Sequence, residues 1–160
     1  MNPKRSLIIV GALAVIALIA AAGSFVYAQQ NAAGGNDAHS IAGSWIISIS
    51  PDPASGVPSF VNYSSMTKDG RAFSSNTAGL MSLGEWVKKA DGSYAVILAG
   101  SEETDEEFMS YEIRATVTVS EDGEKLSGPF ITYVWNLDNN LVFTMPGTMR
   151  ARRMHVKTLD

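Results

Sequence analysis

The 160-residue chain contains no cysteine. That removes disulfides, thiolate nucleophiles and Cys-ligated zinc, so a folded domain must be held by its core alone. Histidine is nearly as scarce, with two residues. His39 precedes the first strand-like stretch and His155 follows the last, so neither is placed for a Ser-His-Asp arrangement. Beyond the N-terminal 28 residues no stretch carries a helical apolar period, which argues against an α or α/β architecture. Basic residues are few, 12 against 16 acidic. All the acidic residues and all but two of the basic ones follow residue 28, which leaves that part with a net charge of about −6. No nucleic-acid partner is expected, because phosphate binding needs a basic footprint. Glu102, Glu103, Asp105, Glu106 and Glu107 cluster without the alternating Asp spacing of a calcium loop and read as a solvated turn. No metal site and no cofactor are expected.

One long hydrophobic run is present. Lys4 and Arg5 precede an apolar or small-residue stretch over 7–22, and Val26, Tyr27 and Ala28 end in small-residue cleavage chemistry. This pattern predicts a secretory signal peptide over 1–28, cut after Ala28, and hence a secreted or periplasmic protein. The alternative is an uncleaved signal anchor, since 7–27 approaches the roughly 20 residues that span a bilayer. Membrane contact would then run through that segment only. Residues 29–40 are small and polar and read as a flexible leader. The domain is expected over 41–155, with a tail at 156–160.

Turn residues are what the domain has in regular supply. Asp-Gly pairs occur at 69–70, 91–92 and 122–123, and Asp138, Asn139 and Asn140 make a fourth turn. Asp-Gly between strand-like runs favours the tight type I′ hairpin. Strands are therefore predicted at 43–50, 59–67, 71–76, 84–90, 93–99, 107–120, 125–137 and 141–153. Eight strands joined mostly by hairpins predict an all-β domain, an eight-stranded antiparallel up-and-down barrel whose closure removes its edges.

Hairpin registers test that prediction. A two-residue loop at Asp122 and Gly123 sets Ala115 opposite Phe130, Ile113 opposite Thr132 and Tyr111 opposite Val134. A two-residue loop at Asn139 and Asn140 sets Val134 opposite Met145, Phe130 opposite Met149 and Leu126 opposite Arg153. Both gather one mostly apolar set on one face, as period-2 geometry requires of an interior. The Asp69 turn adds Met66 opposite Phe73, with Phe60, Asn62 and Ser64 on that face and Ser75 beyond it. The Asp91 hairpin is undecided: Trp86 faces Ile97 but Val87 faces Val96, so either Trp86 or Glu85 lines the interior.

An apolar interior with a few polar groups suits a small hydrophobic molecule. The candidate contacts are Phe60, Asn62, Met66, Phe73, Trp86, Tyr111, Ile113, Phe130, Thr132, Val134, Met145 and Met149. The competing reading is a barrel filled by its own side chains. On the other face Ile131, Tyr133 and Trp135 alternate along one strand and form a candidate surface for self-association.

Gly43, Ser44 and Trp45 at the head of the first strand resemble the Gly-x-Trp opening of the lipocalin and calycin superfamily. The resemblance implies an eight-stranded barrel around a small apolar ligand, with Trp45 packed at the closed end beneath an arginine of the last strand. Parity favours Arg153 for that role, as a cation–π stack. The chain departs from classical lipocalins in lacking a Thr-Asp-Tyr motif, a C-terminal helix pattern and the usual disulfide. Some small barrels bind haem through a late histidine, but the Gly-rich opening of those barrels is missing, and His155 reads as a solvated tail residue. The domain is also similar in strand count to the allene-oxide-cyclase-like barrels. That likeness implies a cofactor-independent cyclase or isomerase, with Tyr111, Glu85 and Asn62 as the candidate catalytic groups.

Overall fold

The computed structural model describes residues 39–103 and 108–155. The signal peptide with its cleavage point after Ala28, leader residues 29–38, the acidic residues Asp105, Glu106 and Glu107, and the tail at 156–160 lie outside the described residues.

Runs of β-branched and aromatic residues broken by turn formers give eight strands. They are β1 (Gly43–Pro51), β2 (Phe60–Met66), β3 (Arg71–Asn76), β4 (Met81–Lys88), β5 (Tyr94–Glu103), β6 (Phe108–Val119), β7 (Lys125–Asn136) and β8 (Leu141–Arg153). Each pairs antiparallel with the next, and β8 returns to pair with β1, so the sheet is a closed up-and-down barrel. Alternation is visible along β1, where Trp45, Ile47 and Ile49 are buried and Ser48 and Ser50 are exposed. A short 3-10 turn (Pro53–Ser55) lies in the connection from β1 to β2, capped by Asp52, whose carboxylate accepts from the Ala54 amide at 2.9 Å.

The hairpins differ from the tight type I′ form. In the Asp69 turn the Thr67 amide donates to the Arg71 carbonyl and the Gly70 amide to the Thr67 carbonyl, at 2.9 and 3.2 Å. Gly70 takes φ 90° while Asp69 stays at negative φ. This is a three-residue loop, a type I turn closed by a left-handed residue. The extra residue slips the register by one, and a slip of one turns every side chain of the following strand over. Met66 therefore pairs with Ala72 rather than Phe73. Ala72 and Ser74 are buried, whereas Phe73 points outward and is 47% exposed. Ser75, which pairs with Tyr63, shares that outer face. The Asp91 hairpin repeats the pattern with Gly92 at φ 84°. Trp86 then pairs with Val96 and Glu85 with Ile97. That settles the undecided hairpin: Trp86 shares the inner face with Val96, and Glu85 is outside.

Between β6 and β7 the predicted pairing is observed, with Ala115 opposite Phe130 and Tyr111 opposite Val134. Between β7 and β8 the shift is two residues. Asn139 takes φ 61°, a register break follows Val134, and Thr132 rather than Val134 faces Met145. Leu126 faces Ala151 and Phe130 faces Gly147. A shift of two preserves the faces, so Phe130, Thr132, Val134, Met145 and Met149 all remain inside.

One end of the barrel is shut. Trp45 and Ile41 are wholly buried there, and the Trp45 indole donates to the Ile41 carbonyl at 2.8 Å. The Arg153 guanidinium stacks 4.3 Å from the Trp45 ring centroid. Its three nitrogens donate to the carbonyls of Gly123, Ala42 and Ser40 at 2.7, 2.7 and 2.8 Å. Gly43 makes room for this fork, since a Cβ at that position would strike the Arg153 Nη1 atom. The Gly-x-Trp opening and the late arginine are thus one packing unit.

Candidate ligand cavity

Among the described residues the other end is open. Inside the barrel a cavity of about 510 Å³ runs from Val117 and Leu126 near the closed end to Val57, Leu80 and Val142 at the mouth. That volume is within the range of small-molecule sites, about 300–1,000 Å³. The barrel is therefore not filled by its own side chains.

Its wall has two characters. Ile47 and Ile49 from β1, Phe130 and Val134 from β7, and Phe143, Met145 and Met149 from β8 form an apolar side, interrupted by Thr132. Phe60 and Met66 continue it onto β2, and Ile113 lies on β6. Met66, Phe130, Met145 and Met149 are all buried. Facing them is an arc of small polar residues: Asn62 and Ser64 on β2, Ser74 and Asn76 on β3, and Ser82 on β4.

Tyr111 extends this arc from β6. Its hydroxyl donates to the Met81 carbonyl at 3.0 Å and lies 3.1 Å from Ser82 Oγ, so it reaches across β5 to β4. The reach is open only because Gly100 on β5 has no side chain; a Cβ there would fall on the Tyr111 hydroxyl. Within the arc, Ser64 Oγ lies 2.8 Å from Ser74 Oγ, and Asn62 Nδ2 contacts the same Ser74 oxygen at 3.5 Å. Asn62 Oδ1 is buried without a partner.

The remaining candidates are elsewhere. Trp86 faces inward but does not line the cavity. It packs edge-on against Tyr94, ring centroids 5.5 Å apart, and its indole donates to the Thr67 carbonyl at 3.0 Å. It belongs to the core near the closed end. Phe73 is on the outer surface. Glu85 is also outside, 3.8 Å from Arg71 in an exposed ion pair. Of the catalytic trio proposed from the sequence, the structure brings Tyr111 and Asn62 to the cavity and separates Glu85 from it. Glu112 is outside too, bonded to Arg114. Outside as well, Tyr133 and Trp135 stack at 5.9 Å, Arg114 lies 5.2 Å over the Tyr133 ring, and Ile131 joins an external groove with Glu85 and Arg114. His155 pairs with Glu124 at 2.5 Å on the surface. Among the described residues no group of three or more His, Asp or Glu is placed to hold a metal ion.

Glu102 is a cavity residue that composition hid. It sits among acidic neighbours in sequence, yet β5 runs on to Glu103 and the alternation from Leu98 through Gly100 brings Glu102 to the lining near the mouth. Among the described residues it is the one carboxylate that lines the cavity, and no Lys, Arg or His lines it. Ser74 and Ser82 are legible by the same parity once the register of the Asp69 hairpin is known.

Comparison with protein-family models, curated proteins and solved structures finds no match to this chain.

Proposed function

We propose that this domain is an exported, lipocalin-like barrel that holds a small hydrophobic molecule in its interior. The observation that carries the reading is the open cavity of about 510 Å³ between the sealed Trp45 end and the mouth. Its lining is mostly aliphatic, aromatic and Met side chains, and burying such surface in a ligand contact is favourable at about 25 cal/mol per Å². Met side chains adapt to irregular apolar shapes. Export rests on the signal-peptide pattern over 1–28, and the lipocalin-like assignment on the Gly43, Trp45 and Arg153 unit within an eight-stranded barrel.

The cyclase or isomerase alternative has less support. It needs a titratable group over the substrate. Glu85 lies outside, and the Tyr111 proton is engaged by the Met81 carbonyl. The test is native mass spectrometry of the purified protein together with displacement of an environment-sensitive apolar fluorophore. A co-purifying apolar mass, or fluorophore binding in the micromolar range competed by long-chain apolar molecules, is expected. A clean apo mass with no fluorophore binding would overturn the reading.

A further inference from the structure

The side of the barrel carries a bare apolar face. Phe73 on β3 pairs with Leu83 on β4, and Leu83 pairs with Ala99 on β5. Met81 and Ile97 stand one outward-facing position away, on β4 and β5. Phe73, Met81, Leu83 and Ile97 are 47, 68, 57 and 41% exposed, so they form a ridge of large side chains in water. Next to the ridge is the external groove, about 600 Å³ between Glu85, Ile97, Arg114, Pro129 and Ile131. Glu85 follows Leu83 by one outward position, so ridge and groove are neighbours on one face. The row Ile131, Tyr133 and Trp135 is half-buried, with Tyr133 engaged by Trp135 and Arg114. Of that row, Ile131 joins the face as a wall of the groove.

Area, shape and charge identify the occupant. At roughly 200 Å² per large side chain, the four exposed residues present roughly 400 Å² of apolar surface, as much as a lone soluble domain usually leaves bare. A standard interface takes about 800 Å² from each partner, rather more than half of it apolar. Ridge and groove walls together supply that apolar share. A two-fold axis between them seats the ridge of each copy in the groove of the other, the reciprocal contact of an isologous pair. The chain beyond residue 28 carries a net charge of about −6, so two copies repel where acid meets acid. The β1–β2, β3–β4, β5–β6 and β7–β8 connections, all at the mouth end, contain no Lys or Arg. The ridge-and-groove face is balanced instead. Arg71 lies 3.8 Å from Glu85 at one border, and Arg114 is bonded to Glu112 at the other. A like-charged copy meets least repulsion there.

We propose that this face binds a second copy of the same chain, ridge to groove, as a symmetric dimer. Phe73, Leu83 and Ile131 do not line the interior cavity, so the pairing is independent of what the cavity holds. Below about 1 µM the chain is a monomer, and substitutions on the face then act on association alone.

The test is sedimentation velocity of the full protein from about 1 to 200 µM, in about 0.05 and 0.5 M NaCl. A monomer–dimer equilibrium with a Kd of about 1–50 µM is expected. It should be unchanged or tighter in the higher salt, because the repulsion is screened. Leu83→Lys lowers the net negative charge, which by itself favours association. It should nevertheless weaken the dimer at least about 30-fold, because the new charge is buried in the contact. The chain has no cysteine, so single-cysteine variants keep the test open should the lysine variant fail to fold. Leu83→Cys mixed with Ile131→Cys should cross-link to each other through a short bis-maleimide. Leu83→Cys mixed with Ser48→Cys, on the exposed outer side of β1, should not. A chain that stays monomeric to about 200 µM would overturn the proposal, and flotation of that monomer with phosphatidylcholine vesicles would assign the face to lipid instead. A dimer dispersed by the higher salt, or left intact by Leu83→Lys, would overturn it as well.

Discussion

Replacing Arg153 by lysine should unfold the barrel far more easily, although charge and stem length are kept. The guanidinium serves three carbonyls from two separate segments: Ser40 and Ala42 ahead of β1, and Gly123 in the β6–β7 hairpin. A single ammonium cannot span them, because its donors radiate from one atom and not from a planar fork. Hydrogen bonds to a charged group contribute about 1.5–3 kcal/mol each. Stacking over Trp45 adds roughly 0.5–2 kcal/mol. These terms are not independent, so the loss of about two bonds and most of the stack comes to about 3–5 kcal/mol. A domain of this kind has only about 5–15 kcal/mol in all. At about 4 °C per kcal/mol for a chain of this size, Tm should fall by about 12–20 °C. Thermal and urea unfolding followed by far-UV circular dichroism measures this. Gly43→Ala should lose stability partly by the same route, since the new Cβ displaces Arg153 Nη1, and partly through backbone strain at φ 138°. The double variant should then lose less than the two single losses together, because the Arg153 part of the loss is shared. A lysine variant within about 1 kcal/mol of the parent, or strict additivity with Gly43→Ala, would refute the claim that the fork holds the closed end.

Two further outcomes are expected. Asp69, Asp91 and Asp122 are held below the ordinary aspartate value of 3.8 by the hydroxyls of Thr67, Ser93 and Ser120. The folded state then binds fewer protons than the unfolded chain, so their contribution is present above that value and lost as pH falls through the lowered ones. The urea midpoint should be flat near neutrality and fall below about pH 4, with the acid slope reduced when all three are changed to asparagine; an unchanged slope would count against these hydroxyl contacts. Phe73 and Phe130 offer a paired test of facing. Phe130→Ala should cost about 3–5 kcal/mol, whereas Phe73→Ser on the outer face should cost under about 1 kcal/mol, and the reverse order in urea melts would show the β2–β3 register to be wrong.

Strand number, order and most strand limits were legible in the sequence because turn residues punctuate it so regularly. The faces of β6, β7 and β8 were legible because period-2 patterning tolerates an error of two. The faces of β3 and of the Asp91 hairpin were not. Asp-Gly is compatible with a two-residue loop and with a three-residue loop ending in a left-handed glycine, and the two differ by one residue. A two-residue loop set Phe73 opposite Met66 on the inner face, whereas the three-residue loop buries its neighbours Ala72 and Ser74 instead. The part of the polar arc on β3 and β4 escaped notice for a related reason. Ser74 and Ser82 carry no motif in sequence, and only their registers bring them beside Asn62 and Ser64. Glu102 was masked by the acid run around it. Trp45 and Arg153 were found through resemblance and parity together, since 108 positions apart no local pattern joins them.

The pairing of Trp45 with Arg153 places the head of β1 and the end of β8 side by side at the sealed end. Any handle attached just outside this domain, on either side, therefore leaves from the base of the cup. Fixed to a bead, an electrode or a fusion partner through such a handle, the barrel would stand with its mouth turned away from the support. Both attachment routes would give the same upright orientation. On the proposed ligand-binding function, the barrel formed by the described residues 39–103 and 108–155 would serve as an immobilised capture element with its mouth facing solution.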